Sequence, residues 1–266
     1  MNILVCVKQV PDTTEIKIDP VTNTLIREGV PSIVNTFDGY ALEMAARIKD
    51  EQEGVKIVVI CMGPEQAKKA LKECLSVGAD KAYLVSDRAF AGSDTLATGY
   101  ILGEALKAVE KEEGSFDIIF CGKQAIDGDT AQTGPQIAEH LNIPQITCIT
   151  GITAEKGKIT AERETEYCKE IWESSTPVLV TVTKPQYDPR YPTVKSKMVA
   201  NKAVIPTITT NEVKVDTAKT GLKGSPTRVR KTYVPVQNKN GTIIKGEDAA
   251  TASKKLASLL SDAGLV

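Results

Sequence analysis

The densest set of anion-binding groups lies at residues 122–134, GKQAIDGDTAQTG. The stretch follows the apolar run DIIF and Cys121, and precedes QIAEHL, whose spacing is helical. A strand that ends in glycine and polar residues and then opens a helix makes a ready anion site. The first N–H groups of the helix have no intrahelical partners, and the helix dipole favours negative charge there. Gly122, Gly128 and Gly134 let the backbone turn and approach a ligand. Asp127, Asp129, Thr130, Gln132 and Thr133 offer caps or ligand hydrogen bonds. Spacing alone fits a well-capped strand-to-helix turn as well as a nucleotide loop.

Three further stretches fall where an open parallel sheet binds ligands, at the carboxyl ends of its strands. They are Cys6, Val7 and Lys8; Met62, Gly63 and Pro64; and FAGSDTLAT, residues 90–98, with Ser93, Asp94, Thr95 and Thr98. Residues 35–38, with Asn35, Phe37 and Asp38, begin the first helix and can join them. Each is ordinary turn chemistry by itself; together on one sheet edge they favour a nucleotide pocket. Neither GxGxxG after the first strand nor GxxxxGK[ST] occurs, so the pocket is not a standard dinucleotide or P-loop site. The SGGxDS pattern of adenylating enzymes is missing too. His140 is the only histidine, so Ser-His-Asp or Cys-His catalysis has little to draw on. The acidic residues Glu164 and Glu166 read as a solvated strand face. Any chemistry then belongs to a bound cofactor.

The elements that must position these loops alternate regularly. Asn2 to Val7 reads as a doubly buried strand, followed by EIKID, PVTN and TLIRE as an edge hairpin. Asn35 or Thr36 caps a helix to about residue 50, with Tyr40, Met44, Ala45 and Ile48 on one face. Strands are expected at residues 56–61, 81–85, 116–121 and 144–150. Helices between them start after Gly63-Pro64, at Ser93 and after the 122–134 loop. This is the grammar of an α/β fold, a mostly parallel twisted sheet with helices on both faces. From Ile152 the pattern changes. KITAERETEYCKEIWE is strand-like, VLVTV is an apolar strand, and KPQYDPRYPTVKSKM is rich in proline and basic residues. The expected division is an α/β nucleotide-binding domain over residues 1–200 and a C-terminal arm and helix over 201–266. The arm is rich in Thr, Lys, Gly and Pro and needs another surface to become ordered, while its final helix carries Leu256, Leu259 and Leu260.

Bulk properties exclude other classes. The 266 residues carry 33 basic and 34 acidic side chains, a net charge of −1, which argues against a nucleic-acid binder held by charge excess. Aromatic content of 5% is too low for a base-stacking platform. The six cysteines form no CxxC pair and read as buried hydrophobes in a reducing compartment, with no metal site. The start, MNILVCVKQ, enters a strand pattern directly, and no apolar run can span a bilayer, so a soluble cytoplasmic protein is expected.

GKQAIDGDTAQTG resembles the nucleotide loop of electron transfer flavoprotein β subunits. VCVKQVPD, VNTFDGYALE, CMGP, VGADKAYLV and PRYPTVKSKMVA follow in the family's order. Glu162, Arg163 and Glu164 fit a later family signature, although Tyr167 and Cys168 stand where glycines are usual. The resemblance implies an adenine nucleotide α-hydrolase-like domain, paired with an α subunit that carries a redox FAD. VKQVPDT and FAGSDTLAT resemble the bifurcating branch of the family. There the pocket holds a second FAD that accepts hydride from NADH. Electrons then pass to ferredoxin or flavodoxin and, through the α-subunit FAD, to an acyl-CoA or hydroxy-acid dehydrogenase. The alternatives are a respiratory-type subunit with structural AMP and a non-redox adenine-nucleotide module.

Residue by residue, the resemblance implies that Cys6, Asn35, Phe37, Asp38 and Met62, beside Gly63, surround the adenosine. Gly122, Lys123, Gln124, Ala125, Ile126, Asp127, Gly128, Asp129, Thr130, Ala131, Gln132 and Thr133 wrap the ribose and phosphates. Ser93, Asp94, Thr95 and Thr98 lie near the flavin ring, and Lys8 either reaches the ligand or ends a strand in solvent. Tyr187, Asp188, Pro189, Arg190, Tyr191 and Pro192 resemble the loop that docks the partner dehydrogenase, or form a rigid proline turn. No catalytic residue and no metal is implied.

Overall fold

The computed structural model describes residues 1–12, 31–230, 241–244 and 248–266. The expected hairpin of EIKID, PVTN and TLIRE lies outside the described residues. In chain order the elements are β1 (Asn2–Val7), β2 (Gln9–Pro11), β3 (Ser32–Val34), α1 (Thr36–Glu51), β4 (Lys56–Met62), α2 (Lys68–Ser76), β5 (Lys81–Val85), α3 (Thr95–Glu113) and β6 (Ile118–Gly122). There follow α4 (Thr133–Leu141), β7 (Gln145–Glu155), β8 (Lys158–Glu164), β9 (Lys169–Ser175), β10 (Val178–Val182), α5 (Val194–Lys202), β11 (Thr207–Ile208), α6 (Gly221–Gly224) and α7 (Ala249–Asp262). No helix among the described residues is long and apolar enough to cross a membrane.

The main sheet runs β11-β5-β4-β1-β6-β10-β7-β8-β9. All neighbours from β11 to β7 are parallel, and β7-β8-β9 is antiparallel. Successive strand residues face opposite sides. Ile3 and Val5 of β1 therefore join Met44 and Ile48 of α1 in one core, whereas Leu4 joins Ile101, Leu106 and Ile137 of α3 and α4 in the other. Two buried faces explain why the central strands are continuous apolar runs. The chain passes from β1 outward to β4 and β5, then returns to place β6 on the other side of β1. That reversal opens a crevice at the carboxyl ends of β1 and β6.

Three sequence expectations change and one sharpens. Asp94, not Ser93, caps α3, because its carboxylate accepts the Ala97 N–H while the Ser93 hydroxyl donates back to Phe90. Asn35 stands at the start of α1, but its side chain makes no capping bond. The strand-like 158–173 stretch forms β8 and β9, paired as a hairpin. Thr165 Oγ1 accepts the Tyr167 and Cys168 N–H groups, making the turn without the glycines usual there. Beyond residue 201, Ile205, Ile208 and Val213 are buried, and β11 pairs with β5, although the strand is too short to show a sequence period. The compact unit runs Met1–Arg230, with Lys231–Val266 as a second. In the second, Asp248 caps α7 through Ala250 and Thr251.

Glu113, at the end of α3, ties together the amino ends of two strands. Its carboxylate pairs with Lys56 of β4 and with Lys81 of β5 at 2.6 Å, and accepts the Tyr83 hydroxyl at 2.5 Å. Burial raises its pKa, but the two lysines and Tyr83 outweigh burial and hold it at about 2. Because the folded value is depressed, the stabilisation is present above the ordinary 4.5 and is lost as pH falls through about 2. Glu113→Gln is expected to lower stability at neutral pH by on the order of 2 kcal/mol in urea unfolding, with the deficit shrinking in acid. An equal deficit at all pH values would mean that the charge is not what matters.

Candidate functional site

The crevice is a cavity of about 860 Å³, within the range of small-molecule and cofactor sites. Its floor is the end of β1 (Cys6, Val7, Lys8) and of β6 (Cys121, Gly122). Met62 and Gly63 at the end of β4, and Val85 and Ser86 at the end of β5, continue it sideways. Two loops form facing walls, one at residues 122–134 and the other at 86–98.

Beyond Cys6 and Cys121 the register of β1 and β6 ends. There Asp38, in the first turn of α1, replaces the lost sheet bonds. Its two carboxylate oxygens accept the Lys8 N–H at 2.7 Å and the Gly122 N–H at 3.1 Å. A Cβ on Gly122 would collide with that carboxylate and with the backbone of Phe37 and Asp38, so only glycine fits. Burial pushes Asp38 up to about 7, against the downward pull of hydrogen bonds from Asn35, Lys8 and Gly122. Asn35 is fully buried. It donates to the Gln124 carbonyl at 2.8 Å and accepts the Ile126 N–H at 3.0 Å, so one side chain pins the loop on both sides of Ala125.

The pinned loop presents backbone to the cavity. The N–H groups of Thr130, Ala131, Gln132, Thr133 and Gly134 donate to no group among the described residues. Asp129 and Ala131 both hold φ of 52°, a left-handed conformation that non-glycine residues adopt rarely. Consecutive amides turned in this way form an anion-binding concavity, and here they run directly into the amino end of α4. Gly134 lets that helix approach β10, since a Cβ would lie 2.8 Å from Thr181 Cγ2. The donor set therefore fits a phosphate group.

The other wall is shaped differently. Asp87 accepts the Ala89 N–H, both the N–H and the hydroxyl of Thr210, and lies below the usual carboxylate range because of these bonds. Asp94 caps α3 with one oxygen and accepts Thr227 N–H and hydroxyl with the other. Ser93 Oγ accepts the Gly221 N–H. Thr95 donates to Gln132 at 3.2 Å, linking the two walls.

Of the residues expected from sequence, Cys6, Lys8, Asn35, Asp38, Met62, Gly63, Ser93, Asp94, Thr95 and Thr98 line this one cavity. So do Gly122, Lys123, Gln124, Ala125, Gly128, Thr130, Ala131, Gln132 and Thr133. Phe37, Ile126, Asp127 and Asp129 do not. Phe37 packs edge-on against Tyr40, and Ile126 is exposed. Asp127 pairs with Lys8 at 2.6 Å, and Asp129 accepts Gln124 Nε2 at 2.6 Å. The two aspartates brace the loop instead of facing its interior. Ser93 and Asp94 reach the wall with their side chains already committed to protein partners. Arg88, Glu65 and Leu102 line the cavity without having been singled out. The exposed Arg88 has no ion pair among the described residues. The clue to it was the end of β5 at Val85, which starts the loop four residues before Phe90.

The loop 187–192 lies elsewhere and is tied to α1. Arg190 binds the buried Glu43 at 2.7 Å and Asp50 at 2.7 Å, and its backbone N–H also reaches Glu43. Burial raises the Glu43 pKa, but the bonds from Arg190 and Arg47 outweigh it and lower it. The Arg47 guanidinium sits 3.7 Å over the Tyr187 ring. Tyr191 is left 92% exposed, so the clamp holds the loop while offering one aromatic ring to solvent.

The electron transfer flavoprotein domain matches residues 22–213. The electron transfer flavoprotein subunit beta of Megasphaera elsdenii is 53% identical over 250 residues, 93% of each chain. That of Thermoanaerobacterium thermosaccharolyticum is 54% identical over 247 residues, 92% of this chain and 93% of its own. The caffeyl-CoA reductase-Etf complex subunit CarD of Acetobacterium woodii is 44% identical over 266 residues, the whole of both chains.

The Asp38 carboxyl gives this site a pH signature. Its folded pKa is raised from 3.8 to about 7, so the fold favours the protonated form. That stabilisation is present below the lower value and disappears as pH rises through the upper one. Thermal melts of wild type and Asp38→Asn, run from about pH 5 to about pH 8, are expected to show the wild type losing ground against the variant as pH rises. A constant difference would show that this carboxylate titrates as an ordinary one.

Proposed function

The chain belongs to the electron transfer flavoprotein family as a β subunit, and from that premise we propose that its cavity holds FAD as a hydride-accepting site. The observation that carries this reading is the continuity of the cavity. A single space joins an anion-binding loop at the end of β6 to a second wall at the end of β5. A mononucleotide seated on the loop would leave the lobe beside Arg88, Gly92 and Ser93 unfilled, whereas a dinucleotide spans both.

The chain's own residues divide the work. The free amides of residues 130–134 bind phosphate, assisted by the Thr130 and Thr133 hydroxyls. Cys6, Met62 and the backbone around Gly63 enclose the adenosine end. The 86–98 wall orients the flavin end and keeps water from it, with Thr98 and Arg88 as the donors toward that end. The flavin, when bound, supplies the redox chemistry, accepting hydride from NADH and releasing electrons singly. Ferredoxin or flavodoxin and the FAD of the α subunit would be the two electron acceptors. An acyl-CoA or hydroxy-acid dehydrogenase would dock at the clamped loop with Tyr191. CarD's membership of a reductase complex supports a partner of this kind.

The test is a cofactor count. The chain purified with its α subunit is denatured, and released flavin and adenylate are measured. Two FAD per heterodimer, with flavin bleaching on NADH addition, are expected. One FAD together with one AMP would overturn the reading and assign the cavity a structural nucleotide.

A further inference from the structure

The two walls of the cavity are secured by different parts of the chain. The 122–134 loop is pinned by Asn35 and Asp38, next to the sheet. The 86–98 wall is held by a strap of residues 209–227, far along the sequence. Thr210 binds Asp87, and the Gly221 N–H donates to Ser93 Oγ at 2.9 Å. Ser225 Oγ accepts the Asp94 N–H at 2.8 Å and donates to the Gly221 carbonyl at 2.7 Å. Thr227 donates its hydroxyl at 2.8 Å and its N–H at 3.0 Å to one Asp94 oxygen. The fit is tight. A Cβ on Gly92 would lie 2.8 Å from Leu222, and one on Gly221 would lie 2.6 Å from the Ala89 carbonyl. Ser225 is buried, and neither Ser225 nor Thr227 lines the cavity.

We propose that Ser225 and Thr227 are positioning residues that fix Asp94 and the wall it begins, and thereby set the preference of the cavity for FAD over AMP. The proposal rests on the reading of the cavity as an FAD site and assigns its selectivity to residues that touch no ligand. Asp94 has two neighbours to satisfy: the α3 amino end, which its carboxylate caps, and the strap, to which its N–H and its other carboxylate oxygen bind. Hydrogen bonds to a carboxylate are stronger than neutral ones, so loss of the strap bonds frees the residue that sets where the 86–98 turn stops and α3 begins. The phosphate loop keeps its own anchors. Its side-chain link to this wall, Thr95 to Gln132, is an exposed neutral bond. The mononucleotide end is therefore insulated from the strap, and the far end is not.

The experiment uses the full-length chain, titrated calorimetrically with FAD and separately with AMP. The Ser225→Ala, Thr227→Val double variant is expected to weaken FAD binding about tenfold while AMP binding stays within about twofold. Thr227→Ser, which keeps the hydroxyl, is expected to bind FAD like the wild type. Equal loss of both ligands would mean that the strap is only structural, and unchanged FAD binding in the double variant would remove these residues from the site. Either result overturns the proposal and leaves the FAD reading intact. A wild type that binds AMP but no FAD overturns both.

Discussion

The geometry of the site depends on what happens where two parallel strands stop pairing. A parallel ladder leaves backbone groups unsatisfied at its ends, and buried groups of that kind cost free energy comparable to a lost hydrogen bond. At the ends of β1 and β6, Asp38 supplies the missing acceptors for Lys8 and Gly122. The chain can then diverge there without exposing the core to water. The cost is a carboxyl held in a buried place, which its raised pKa records. Gly122 follows from Asp38, because any side chain would displace the carboxylate.

With the strand ends closed, the loop beyond them can be built from backbone. Asn35 sits where helix capping is expected of it, yet it spends both halves of its amide on Gln124 and Ile126. A buried amide with both functions satisfied stabilises by its own bonds and is costly to truncate, since removal leaves the loop groups unpaired. The side chains of Asp127 and Asp129 are taken up by Lys8 and Gln124. Their role is to hold a strained backbone, including the left-handed Asp129 and Ala131, so that consecutive amides face inward. Recognition by main-chain amides needs no particular side chain at the phosphate.

This division explains which parts could be read from the sequence. The doubly buried strands announce themselves as apolar runs, and their alternation with helices fixes the order of the loops. The 122–134 loop could be placed from sequence because glycine and hydroxyl residues mark the passage from strand to helix, while its spacing fitted a capped turn as well as a nucleotide loop. Which of Asp127, Asp129 and Thr130 face the cavity was not legible, because that depends on φ at two positions where sequence offers no glycine. The cap of α3 at Asp94 in place of Ser93 was a choice between two good capping residues, decided by a strap over a hundred residues away. Ile205, Ile208 and Val213 escaped notice because three isolated apolar residues carry no period. Arg88 escaped because a charge in a loop usually means only solvent.

The two walls differ in how much chain must be in place before they exist. The 122–134 loop and its anchors lie within residues 35–38 and 122–134, on elements that share the central strands. The opposite wall depends on bonds between residues 128, 131 and 133 positions apart in sequence. Closing contacts over such separations costs loop entropy that local turns do not incur. The 122–134 wall thus takes its bonds from the α/β core, and the opposite wall takes its bonds from the later chain. The chain's contribution to the cavity is its shape. Here the shape is set by a rigid loop at one end and by a strap from the far part of the sequence at the other.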